Sequence, residues 1–320
     1  MTINKSKFRS NRDKSGSSLQ LWQQVQKVIK NSNRKSDKTR KTYYDRMSNF
    51  VDFVGDRFKL QKIEKISDKH VLAFVEDSYK KGLSVSTIWN TVSAIQFINR
   101  ELGETMKLSD SNRLKEKYVE YQTKNNPGFD KKTTKRTYIA NGKNPVWRES
   151  EQVKALDLAL AMDRYDVALS IKFGLELGTR IHETHRQDRV AISSAIKKGF
   201  LTTRGKGGFV RDIPIYNNKQ TEVLEFAKNL TNDDDPKVFA THDRSITQTM
   251  KSVQNWIYNH RNKFAEDDRQ LTYHGLRATY AANEYNRIYR ETGDRKLALK
   301  TVSEQLGHHR EWITRVYLSK

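Results

Sequence analysis

The stretch GLELGTRIHETHRQDR places Arg180 three residues before Glu183, directly after an apolar run that stops at Gly178. Side chains three apart on a helical turn share a face, so these two could pair. In RGKGG, Lys206 lies between Gly205 and Gly207. Glycines there allow close backbone approach to a ligand, and the lysine offers a mobile charge and a transferable proton. LTYHGLRATYAA sets His274 and Arg277 three apart at the opening of a helix, and LGHHREWITRVYLSK sets His308 nine residues before Tyr317. Each has a plain reading on its own. An Arg–Glu pair is a salt bridge, a hairpin lysine is solvated, a His–Arg pair at a helix start is structural, and a late tyrosine packs against something.

At 320 residues the chain is long enough for two domains with separate cores. Its formal net charge of +22 points to a polyanionic partner, since Lys and Arg that neutralise phosphates release condensed counterions. The alternative is a highly solvated surface. There is no cysteine, which excludes disulfides, thiolate metal sites and a cysteine nucleophile, and fits a reducing compartment. No apolar run approaches the ~18 residues of a membrane span. MTINKSKFRSNRDKSGSS has no apolar signal core, and residues 1–16 read as a basic flexible arm.

Residues 17–122 read as all-helical. SSLQLWQQVQKVIK puts Leu21, Val25, Val28 and Ile29 on one face behind a serine cap. Tyr43, Met47, Phe50 and Val54 form the face of a second helix, with Gly55 as its stop. Two more helices end at Gly82 and Gly103, and a shorter one covers SNRLKEKYVEYQ. Residues 123–144 carry Pro, Gly, Asn and a basic cluster and read as an interdomain linker. From 145 to 320 the pattern is mixed: helices, plus strands FLTTR and FVRDIPI flanking GKGG as a hairpin. The fold class is therefore predominantly α with a small β-hairpin, α+β overall.

Taken in chain order, Arg180 in GTRIHE, Lys206 in RGKGG, His274 and Arg277 in HGLR, His308 in LGHHR and Tyr317 in ITRVYL form a pattern. Thr314 falls at the expected place between His308 and Tyr317. The sequence resembles the tyrosine recombinases, or phage integrases, by motif over residues 145–320 and by a helical, SAM-like core-binding domain over residues 17–122. The resemblance implies a site-specific DNA recombinase working through a 3′-phosphotyrosyl intermediate and a Holliday junction. Tyr317 would be the nucleophile, Arg180, Arg277 and His308 the phosphate clamp, and Lys206 the general acid. His274 would take or share the tyrosine proton, and Glu183 would orient Arg180 or His274 from behind.

The resemblance further implies no metal, no cofactor and no ATP. Consistent with this, the sequence has no Walker-type run, and the DDD at 233–235 reads as a turn or helix end. Implied partners are double-stranded recombination sites, a homotetramer in synapsis formed from a free monomer or weak oligomer, and accessory DNA-bending proteins. The implied setting is cytoplasmic and nucleoid-associated, in a prokaryote, phage or mobile element. A type IB topoisomerase-like strand transferase and a non-catalytic DNA-binding protein of the same fold are the rival readings. A basic RNA-binding module would need stacking aromatics in a strand context, and no such run occurs. Two departures stand out. THRQDR follows Glu183 where the family is usually apolar, and Ala278 stands where a second histidine is common. Three residues after Tyr317 leave little with which to interlock subunits, and His309 matches no motif position.

Overall fold

The computed structural model of the chain describes residues 14, 16–32, 36–134, 145–205, 208–231, 234–235, 237–240 and 243–307. Lys206, Asp233, His308, His309, Thr314 and Tyr317 lie outside the described residues, as do most of the expected arm and the second half of the expected linker. The chain divides into two compact units, Met1–Arg136 and Thr137–Lys320. Among the described residues no helix is long and apolar enough to cross a membrane.

The first unit has five α-helices: α1 (Gly16–Asn31), α2 (Asp37–Phe58), α3 (Asp68–Lys80), α4 (Val85–Glu101) and α5 (Ser111–Asn125). Side chains of the expected polar types begin them. Ser36 and Ser84 accept the amides of Thr39 and Thr87 at 3.3 and 3.1 Å, and Asp110 accepts those of Asn112 and Arg113. Leu21, Val25, Ile29, Met47, Phe50 and Val54 are buried in one core, with Val28 and Tyr43 at its margin. Phe129 also packs on this core, against Tyr118, so chain read as linker from residue 123 keeps contact with the first unit.

Two expectations fail here for one reason. Gly55 does not stop α2, which continues to Phe58 and ends on a left-handed Lys59. Ser18 does not cap α1; it is buried inside the helix. A Cβ on Gly55 would lie 2.3 Å from Ser18 Oγ and 2.6 Å from Ser18 N, so the glycine is where α1 and α2 touch. Lys14, the last lysine of the expected arm, is likewise held: its ammonium bonds Ser48 O at 3.1 Å, pairs with Asp52 and lies over Trp22.

The second unit contains α6 (Glu149–Ala161), α7 (Tyr165–Glu176), α8 (Ile181–Thr184), α9 (Arg189–Lys198), α10 (Asn218–Leu230), α11 (Ile246–Phe264), α12 (Tyr273–Thr292) and α13 (Arg295–Gln305). Strands β1 (Phe200–Arg204) and β2 (Val210–Pro214) pair antiparallel in the register Thr203 to Arg211, the expected hairpin. Helix α7 is mostly apolar and packs on two sides. Val167, Ala168 and Ile171 face a core shared with α6 and α11, while Leu169 and Phe173 face one shared with α9, α10 and the hairpin. A further cluster joins α12 to α13.

Behind α8 the interior is polar, and here the THRQDR departure finds its packing. Thr184, His185 and Gln187 are buried. Thr184 Oγ1 bonds Thr179 Oγ1 at 2.6 Å and the Tyr273 hydroxyl at 2.9 Å. His185 meets the Ser170 hydroxyl through Nε2 (3.1 Å) and that of Thr249 through Nδ1 (2.9 Å), with its ring stacked on Phe239. Burial drives its pKa down to about 4; Asp166 opposes the shift and Arg244 reinforces it.

Two measurements follow from these contacts. A helical Gly→Ala change ordinarily stabilises by about 0.5–1 kcal/mol, but Gly55→Ala should destabilise by roughly 1–3 kcal/mol, because the new methyl strikes α1. A denaturant midpoint equal to or above wild type would contradict that. For His185, the unfolded chain takes up a proton at the ordinary pKa of 6.5 and the folded chain only near pH 4. Its contribution is therefore full above pH 6.5 and declines as the pH falls from 6.5 towards 4, by up to about 3 kcal/mol. Urea midpoints between about pH 7 and 4.5 should fall more steeply for wild type than for His185→Gln. Equal slopes would remove His185 as their source.

Candidate active site

Helix α7 delivers the first arginine. Past its end, Gly178 adopts φ +57°, and a Cβ there would lie 2.3 Å from the Tyr280 ring, so only glycine lets the chain turn at this point. Two residues on, Arg180 is the N-cap of α8, and Glu183 folds back so that its Oε2 accepts the Arg180 amide at 2.8 Å. Oε1 accepts Arg180 Nη1 at 2.7 Å, the pairing expected from the spacing of three.

A residue the sequence reading missed completes the pair. Arg211, on the inward face of β2, donates Nη1 to Glu183 Oε1 at 2.7 Å and Nη2 to Oε2 at 2.8 Å. Glu183 is fully buried and the Arg211 side chain is 5% exposed, whereas that of Arg180 is 27% exposed. Burial alone would raise the Glu183 carboxyl. The hydrogen bonds and charge of Arg211, then the amide and charge of Arg180, outweigh it and hold the pKa at about 2. The missed signal was the alternation itself: Arg211 shares the inward face of β2 with Ile213.

Arg277 approaches from α12. It is fully buried, donating Nη1 to Gly178 O and Nη2 to Leu306 O, and its Nη1 stands 4.0 Å from Glu183 Oε2. Arg180 Nη2 reaches the same Leu306 carbonyl at 3.5 Å, and Arg211 Nε donates to Gln305 O at 2.7 Å. Three guanidiniums therefore meet the C-terminal carbonyls of α13, the negative end of its dipole. Among the described residues, the carboxylate they meet is that of Glu183.

His274, one turn before Arg277, keeps a solvent-facing side. Desolvation, then the charges of Arg277 and Arg180, push its pKa down to about 4, a shift that water on the open side partly screens. The ring is therefore neutral at pH 7. A Cβ on Gly205 would lie 3.2 Å from Glu183 Oε1 and 3.5 Å from Arg180 Nη1, and one on Gly307 would lie 3.0 Å from Arg211 Cδ. The residues directly preceding Lys206 and His308 thus stand against the same cluster. Of the seven site residues expected from the sequence, the structure brings together Arg180, Glu183, His274 and Arg277; Lys206, His308 and Tyr317 are outside the described residues.

Residues 21–106 match the family model for the phage integrase N-terminal SAM-like domain. No curated protein sequence matches the chain significantly. Among solved structures, a lambda integrase dimer bound to a COC′ core site is similar over 93% of this chain and 94% of its own, at 15% identity and TM-score 0.62. The Tn1549 transposon integrase in complex with circular intermediate DNA is similar over 96% of both chains, at 15% identity and TM-score 0.60. XerH recombinase bound to a palindromic difH substrate is similar over 98% of this chain and 87% of its own, at 16% identity and TM-score 0.56. At such identities the likeness is one of fold. Residues 21–106 thus match a phage integrase N-terminal SAM-like domain, and the chain shares the fold of these integrase and site-specific recombinase structures.

Proposed function

We propose that the chain is a site-specific DNA recombinase that cuts and rejoins strands through a 3′-phosphotyrosyl intermediate and a Holliday junction. One observation carries the reading. Arg180 and Arg277, from separate elements, converge on a single oxygen, the Leu306 carbonyl. A non-bridging phosphate oxygen that drew these donors off that carbonyl would exchange a neutral acceptor for a charged one. Support also comes from similar folds whose structures hold DNA, including a lambda integrase tetramer bound to a Holliday junction.

In the first step the Tyr317 oxygen attacks phosphorus and its proton passes to neutral His274. The bond from phosphorus to the 5′ oxygen breaks, and that oxygen takes a proton from Lys206. His308 donates a further bond to the phosphate. The phosphotyrosyl bond retains the energy of the broken diester, so a second 5′ hydroxyl reverses the step without ATP. Residues 17–122 would grip the core site, and 145–320 would do the chemistry, joined through the basic stretch 123–144. Four chains on two DNA sites complete the exchange.

The test is covalent trapping on nicked duplexes tiled across the genomic junction beside the coding region. Wild type should form an adduct and Tyr317→Phe none, while Arg180→Ala should slow adduct formation at least ~100-fold. An adduct from the Phe variant would displace Tyr317 as nucleophile. A wild-type protein that binds these duplexes without an adduct would be a DNA-binding protein of this fold.

A further inference from the structure

Resting on the recombinase reading above, we propose that Arg211 is a positioning residue for strand cleavage. It occupies Glu183 so that Arg180 is not drawn wholly onto that carboxylate, and it ties the hairpin to the end of α13. The geometry is specific. Arg211 gives Glu183 two parallel bonds of 2.7 and 2.8 Å and spends its remaining Nε on Gln305 O at 2.7 Å. Arg180 is left with one side-chain bond to Glu183 and an outer Nη2 directed at Leu306 O.

Removing Arg211 changes this balance. The buried carboxylate would be left short of donors, and its nearest replacements are the Arg180 guanidinium and Arg277 Nη1, now 4.0 Å away. Either would be drawn inward onto a full negative charge, away from the oxygen on which both now converge. The third bond, from Nε to Gln305 O, reaches a different element from the other two. That bond fixes β2 to the last turn of α13, and with it two points of the chain: Gly205, beside Glu183 and before Lys206, and Gly307, beside Arg211 and before His308. Arg211 therefore sets the spacing between Gly205 and Gly307, the residues directly before Lys206 and His308. A lysine there would keep the charge and lose this geometry, because an ammonium is a point charge without the planar fork that satisfies Glu183 and Gln305 together.

Arg211→Lys and Arg211→Met are compared with wild type on the nicked duplex that wild type cleaves. Duplex affinity and single-turnover adduct formation are both measured well below each variant's thermal midpoint. Affinity should stay within about threefold of wild type, while adduct formation falls about 10- to 100-fold in both variants, the scale of an ångström-size misplacement. A purely structural role predicts a lower midpoint with no such split between binding and cleavage. If the Met variant does not fold, the Lys variant decides alone. Arg211→Lys cleaving at the wild-type rate would overturn the assignment, since charge alone would then suffice. Wild type forming no adduct would overturn the recombinase reading itself, a separate outcome.

Discussion

The second unit is organised around a buried carboxylate that must not be left alone. Glu183 accepts from its own N-cap amide, from Arg180 and twice from Arg211, and no water reaches it. A buried ion pair is a weak source of net stability, because desolvation cancels most of the attraction, yet removing one partner costs about 3–5 kcal/mol. What Glu183 supplies is a frame. Helix α8, strand β2 and the arginine that caps α8 are oriented by one group, and none can shift without uncovering a charge.

The second anchor is the C-terminal end of α13. The last carbonyls of a helix have no partners within it, and here Gln305 O and Leu306 O are taken by arginines from three elements far apart in the chain. Each guanidinium neutralises part of the helix dipole while the dipole holds the guanidinium in place. The first unit is built more simply, by apolar helix faces and polar caps, with a close contact at Gly55 where α1 meets α2.

Much of this was legible in the sequence because it is local. Caps, left-handed glycines and the spacing of Arg180 to Glu183 all operate within about one helical turn, where identity and spacing decide geometry. Gly55 was misread because a glycine that ends a helix and one that admits a neighbouring helix look alike until the neighbour is placed. Arg211 was missed for a related reason: its partner lies 28 residues earlier, and only the strand register turns the arginine inward. THRQDR was recognised as unusual, but the hydroxyls that satisfy His185 lie 15 and 64 residues away.

The division of labour among the arginines follows from what each one faces. A guanidinium bound bidentately to a buried carboxylate is spent, since another anion would have to break two charge-assisted bonds to recruit it. Arg211 is in that position. Arg277 donates instead to two carbonyls, and neutral acceptors yield to a charged one; the 4.0 Å to Glu183 persists because that carboxylate's oxygens are already occupied. Arg180 stands between, with one bond inward and one side open to solvent. One carboxylate is thus enough to gather three guanidiniums among the described residues. The two arginines that share the Leu306 oxygen come from the N-cap of α8 and from α12, so that carbonyl joins the two helices as Glu183 joins α8 to β2.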